Sequence, residues 1–122
     1  MRKILVAAIL AMSLLAGCAS TPQNPAQAVY AAHGTYTVAL TAAVKYKQLP
    51  PCAPPAGPVL CAKPDVVRQL QRADDAAYVA LSTAQKMVRS TSEGAGPIQQ
   101  AVFNATQAVN AFAAIATALE WK

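Results

Sequence analysis

Proline placement constrains this 122-residue chain more than any other feature of its sequence. Pro25, Pro50-Pro51, Pro64 and Pro97 bound long proline-free stretches, and five of the nine prolines fall in "PPCAPPAGPVLCAK", residues 50–63. Inside a helix a proline removes one hydrogen bond and clashes with the preceding turn, at a cost of about 3 kcal/mol. At the first helical position it is well tolerated, because that N–H has no intrahelical partner. The pattern therefore predicts three helices, over about 25–49, 64–89 and 97–120, with a proline-rich connection at 50–63 and a turn at "STSEGAG", residues 90–96.

Each stretch carries one apolar stripe in steps of three and four. The first runs through Val29, Ala32, Tyr36, Ala39, Ala43 and Tyr46. In the second, Val66, Leu70, Ala73, Ala77, Leu81, Ala84 and Met87 or Val88 face one way, and Arg68, Gln71, Arg72, Asp75, Gln85 and Lys86 largely the other. The third is Ile98, Val102, Ala105, Val109, Phe112, Ala116 and Leu119. This is the helical period, and no alternating run suggests a strand. Asn24 before Pro25 reads as an N-cap, and Lys45 and Lys47 suit the negative end of the first helix. Short connections between helices with one apolar face predict an all-α, three-helix up-down-up antiparallel bundle. Alanine dominates the seams. It buries little area, at about 25 cal/mol per Å², but lets helices approach closely, so modest stability is expected. Gly34 interrupts the first helix at about 1 kcal/mol relative to alanine, and close helix packing is its expected reason.

The N-terminus has a different character. Met1-Arg2-Lys3 precedes an apolar run from Ile4 to Ala16 broken only by Ser13, and Leu15-Ala16-Gly17-Cys18 closes it. The run is short of the roughly 20 residues a spanning helix needs, and it has the layout of a signal peptide. The four closing residues resemble the lipobox of bacterial lipoproteins. That resemblance implies cleavage between Gly17 and Cys18, a diacylglyceryl group on the Cys18 thiol, and acylation of its new amino group. The chain then divides into a signal peptide (1–17), a lipidated tether (18–24) and a helical domain (25–122). At about 0.8 kcal/mol per buried methylene, two or more acyl chains hold a protein stably at a membrane. Ala19 and Ser20 follow the cysteine where lipoproteins retained at the inner membrane of enterobacteria carry Asp, which points to the outer membrane, facing the periplasm. Beyond the lipobox, the mature part resembles small helical lipoproteins of proteobacteria and their prophages. Its last two residues, Trp121-Lys122, are similar to the ending of peptidoglycan-linked lipoproteins, in which a terminal lysine joins the wall. Those proteins are single long coiled coils, which this chain is not.

Removal of the leader leaves 105 residues with eight basic and five acidic side chains. A net charge of +3 without a basic cluster does not point to nucleic acid. It is compatible with a position near anionic headgroups. With Cys18 lipidated, Cys52 and Cys61 are left in an oxidising compartment, where a structural disulfide is expected.

Groups capable of chemistry are few. His33 is the single histidine, and the acids are Asp65, Asp74, Asp75, Glu93 and Glu120. General acid–base catalysis needs two groups held at one substrate. Asp74 and Asp75 are sequence neighbours but diverge by about 100° around a helix. Asp74 alone borders the apolar stripe. It is expected to pair at the surface with Tyr78 or a basic residue; a buried pair with His33 or a tyrosine is the alternative. No catalytic residue, cofactor or metal site is predicted, and no small-molecule substrate is evident. The uncharged outer face of the third helix (Gln100, Asn104, Gln107, Asn110, Thr117) reads as solvent surface, with a partner-helix interface as the alternative. The expected function is that of a non-enzymatic, lipid-anchored envelope protein. It would act by contact with another envelope protein or as a structural component, with membrane lipid engaged through Cys18. The alternatives are a phage-derived envelope factor, such as an exclusion lipoprotein or spanin-like lysis component, and a modulator of a cell-wall enzyme.

Overall fold

The computed structural model describes residues 24–52, 60–90 and 94–119. The expected signal peptide, Cys18 with most of the expected tether, the middle of the proline-rich loop, Glu93, and the terminal Glu120, Trp121 and Lys122 lie outside the described residues.

Three helices are formed: α1 (Pro25–Lys47), α2 (Pro64–Arg89) and α3 (Ala95–Ala118). Their starts follow from local chemistry. The Asn24 side chain accepts a hydrogen bond from the Gln27 N–H at 2.9 Å, and Pro25 occupies the first turn. This satisfies one of the four N–H groups that a helix start leaves without a partner. Pro64 likewise stands at the start of α2, with Asp65 in its first turn, but the N-cap there, Lys63, makes no side-chain hydrogen bond to the helix. The range of α2 is the expected one.

The other two helices differ from expectation at their ends. The first stops at Lys47 and not at 49. Leu49 precedes a proline, which disfavours helical backbone there, and its N–H turns back to the Tyr46 carbonyl at 3.1 Å. The third begins at Ala95, two residues before Pro97, with Gly94 as its N-cap. Its first internal bond runs from the Ile98 N–H to the Gly94 carbonyl. Pro97 therefore falls where no N–H is needed, and the turn can be shorter than its composition implies. It ends at Ala118, with Leu119 as C-cap.

The helices run up, down and up. Leu40 and Lys47 of α1 meet Asp74 and Val67 of α2 across one seam, so these two are antiparallel. Ala80 and Met87 of α2 face Asn104 and Pro97 of α3, which are antiparallel as well. The third helix packs along the length of both others, whereas α1 and α2 touch over a shorter span. This makes α3 the centre of the core. Its Ala101, Ala105, Val109, Phe112 and Ala116 are buried against Val29, Ala32, Ala39 and Ala43 of α1 and Leu70, Ala77, Leu81 and Ala84 of α2. Every residue of the three expected stripes is buried or half-buried. Ala101 joins them on α3. Nine of the fourteen buried apolar residues described are alanines, so the few large ones supply most of the buried volume. The largest wholly buried side chains are Phe112, Leu81 and Val109.

Cys52 and Cys61 are joined by a disulfide, with Cα atoms 4.9 Å apart. The loop closes further through backbone bonds. The Cys52 N–H donates to the Ala62 carbonyl at 3.2 Å, and the Ala62 N–H to the Pro50 carbonyl at 2.9 Å. These form an isolated bridge between Pro51 and Ala62, too short to be a strand. The Tyr46 hydroxyl accepts the Lys63 N–H at 3.0 Å and ties the end of α1 to the start of α2.

Gly34 corrects an expectation. It is exposed, and a Cβ built on it meets nothing within 4 Å. Close helix packing therefore does not account for this glycine, and nothing in the structure explains it. Gly34→Ala should stabilise the protein by about 1 kcal/mol through helix propensity alone. An increased urea midpoint with an unchanged slope is the expected result; a decrease would reveal a constraint on this position.

Candidate functional site

Two places carry groups beyond core packing. The first is a cavity of about 590 Å³ at the bundle end where α1 finishes, α2 begins and α3 finishes. Its described walls include Leu49, Leu60, Val66, Ile115 and Leu119, together with Ala114, Ala118 and Cys61. The polar groups at its lining are Tyr46, Lys63 and Gln69. The cavity exists because the proline-rich connection, and not a turn of helix, follows Leu49. Ala114 and Ala118 of α3 line it with small side chains that leave space unfilled. Leu60 remains 59% exposed at its edge.

The second is a polar pair beside the core. The Tyr36 hydroxyl of α1 donates to Asp74 Oδ1 of α2 at 2.7 Å in a half-buried position. The Tyr36 ring lies 5.8 Å from that of Phe112, tilted by 45°. The partner of Asp74 is thus a tyrosine from the neighbouring helix, 38 positions away, and not Tyr78, which is 63% exposed. Burial, and then the hydrogen bond to Asp74 and the negative charge of its carboxylate, push the Tyr36 hydroxyl up to about 12. The fold holds this tyrosine neutral as a donor, a structural duty that joins two helices.

The raised value has a consequence for stability. Above pH 10 the unfolded chain gives up the Tyr36 proton more readily than the folded one does. The unfolded state then binds fewer protons, and stability falls as pH rises. The contribution is complete below about pH 10 and is lost towards pH 12. Tyr36→Phe should flatten the decline in urea midpoint between pH 9.5 and 11.5, relative to wild type. Titration of the remaining tyrosines and lysines is common to both proteins and cancels in the difference. Parallel declines would mean that the hydroxyl does not couple to folding.

His33 is half-buried on α1, and its Nε2 is buried without a hydrogen-bond partner. Asp75 is exposed on the far side of α2 from the core. Among the described residues, no three His, Cys, Asp or Glu side chains come together in a way that could hold a metal ion. The outer face of α3 is exposed at Gln100, Asn104, Gln107, Asn110 and Thr117, and Gln100 donates to Asn104 at 2.9 Å. Phe103 interrupts this polar face and is 58% exposed. Among the described residues, no helix is long and apolar enough to cross a membrane.

The chain matches no family model, no curated protein and no solved structure. Its functional reading therefore rests on its own residues. Of those singled out in the sequence, Cys52 and Cys61 are brought together by the fold. Cys18 and Gly17, the expected lipidation and cleavage positions, lie outside the described residues. The end cavity was not foreseen. Its wall residues Leu49 and Leu60 sit at the edges of the proline-rich segment, outside the helical periodicity. An isolated leucine next to a cysteine or a proline was the available signal.

Proposed function

We propose that this chain is a lipid-anchored protein of the bacterial envelope, held by Cys18 and acting through contact with a partner protein or as a structural component. The observation that carries the reading is the Cys52–Cys61 disulfide. Such bonds persist in oxidising compartments outside the cytosol, and the lipobox Leu15-Ala16-Gly17-Cys18 supplies an export route to one. Geometry is consistent with this. The tether joins the bundle at Asn24, at the end of α1 remote from the disulfide. A 23-residue helix spans about 35 Å. An anchored N-terminus would then direct the disulfide end away from the bilayer, into the periplasm if the membrane is the outer one. The exposed Phe103 and Val79 on neighbouring helices favour action by protein contact.

Metabolic labelling with palmitate and detergent phase partitioning test the anchor. Wild type should incorporate label and enter the detergent phase. Cys18→Ser should lose the label and remain in the aqueous phase. A native protein that retains residues 1–17, or that washes from membranes without detergent, would refute the reading.

A further inference from the structure

We propose that the cavity at the disulfide end of the bundle binds a single-chain aliphatic carboxylate, a fatty acid, with its tail against Ile115 and Leu119 and its head at Lys63. This goes beyond the anchoring proposal and does not depend on it, since no acyl group of the chain itself is invoked.

Three observations lead to this ligand class. The cavity measures about 590 Å³, within the range of roughly 300–1,000 Å³ typical of small-molecule sites. Its described walls are mainly aliphatic: Leu49, Leu60, Val66, Ile115 and Leu119 contribute branched carbons, and Tyr46 is the one aromatic among the described lining residues. Such a surface suits a flexible hydrocarbon tail.

Charge decides the head group. Lys63, an exposed residue of the lining, carries an ammonium group within side-chain reach of the opening, and no carboxylate is among the described lining residues. The Tyr46 oxygen already accepts the Lys63 N–H, so its own O–H is left as a donor. Gln69 completes a polar set that is rich in donors and carries one positive charge. An ammonium and a hydroxyl together match a singly charged acceptor, and charge-assisted hydrogen bonds of this kind are shorter and stronger than neutral ones. Among the described lining residues a cationic head would find no counter-charge.

The test uses the chain from residue 18 onward carrying Cys18→Ser, so that neither acyl groups nor the apolar run 4–16 competes for dodecanoate. Dodecanoate, below its micelle-forming concentration, is titrated by calorimetry alongside dodecanol and dodecyltrimethylammonium. Dodecanoate should bind at one per chain, dodecanol more weakly, and the cation weakest of all. Lys63→Gln should weaken dodecanoate by roughly fivefold, the scale of one exposed charge contact, and leave dodecanol unchanged. Ala118→Trp fills the cavity from an exposed position and should abolish binding of both. Amide shifts on the unsubstituted cavity should move at Val66, Ile115 and Leu119 when dodecanoate is added, a readout that needs no cavity variant. Absence of heat and of shifts overturns the proposal. Equal affinity for the cationic amphiphile overturns the head-group assignment. A chain that dimerises, loses the dimer in Leu60→Lys and takes up no dodecanoate assigns the surface to a second copy instead.

Discussion

Phe112→Ala should destabilise the bundle by about 3–5 kcal/mol, the range for removing a buried aromatic side chain. Phe112 is 0% exposed and is the largest of the wholly buried side chains. Its surroundings make the upper half of that range the better expectation. Ala39, Ala77, Ala105 and Ala116 belong to the same core, and an alanine has no rotamer with which to move into a void. The Tyr36 ring, 5.8 Å away, would lose its aromatic neighbour and become freer to move away from Asp74. Small domains have about 5–15 kcal/mol of total stability, so this one change removes a large fraction of it. Urea unfolding followed by far-ultraviolet circular dichroism gives the measurement. Phe103→Ala, on the same helix but 58% exposed, is the control and should stay within about 0.5 kcal/mol of wild type. Similar losses for the two variants would mean that α3 is rotated relative to the arrangement described above.

Joint replacement of Cys52 and Cys61 by alanine should cost about 2–3 kcal/mol. The bridge closes a loop of ten residues, and the chain-entropy relation gives roughly 2.7 kcal/mol for that length. Prolines within the loop already restrict the unfolded chain, which lowers the figure. Against this, the disulfide holds in register the backbone bonds between Cys52 and Ala62 and the bond from the Lys63 N–H to Tyr46. Loosening them would separate the end of α1 from the start of α2 and widen the cavity mouth. Reductant should shift the wild-type urea midpoint by the same amount as the double substitution, and should leave the double variant unmoved. Insensitivity of wild type to reductant, or two free thiols in protein isolated from the envelope, would remove the staple from the account.

The candidate sites were legible only in part. Asp74 stood out as the acid beside the apolar stripe of α2, but its partner was not apparent. Helix periodicity states which face a residue occupies, and several tyrosines and one histidine had faces compatible with Asp74. The choice of Tyr36 depends on the axial offset between α1 and α2, which a loop containing five prolines sets. Gly34 shows the opposite failure. A glycine in a helix invites a packing explanation, yet this one points into open space. The end cavity is lined by residues from three separate segments, each of which reads locally as an unremarkable helix end or loop.

The set of elements and their inward faces could be read from local residue order. Prolines, the Asn24 cap and the three-and-four spacing act within a few residues of one another, and such short-range signals survive in any tertiary arrangement. The pairing of Cys52 with Cys61 was expected on the reading that Cys18 is lipidated, and the fold brings the two together. Only the packing of the helices brought Tyr36 to Asp74 and the Tyr36 ring to Phe112, and placed Leu49 and Leu119 on the lining of one cavity. Those meetings depend on how far one helix slides and turns against the next. Alanine seams permit a wide range of such placements, because small side chains interlock weakly, and the final one is set by the few large residues and by the closed loop between Cys52 and Cys61.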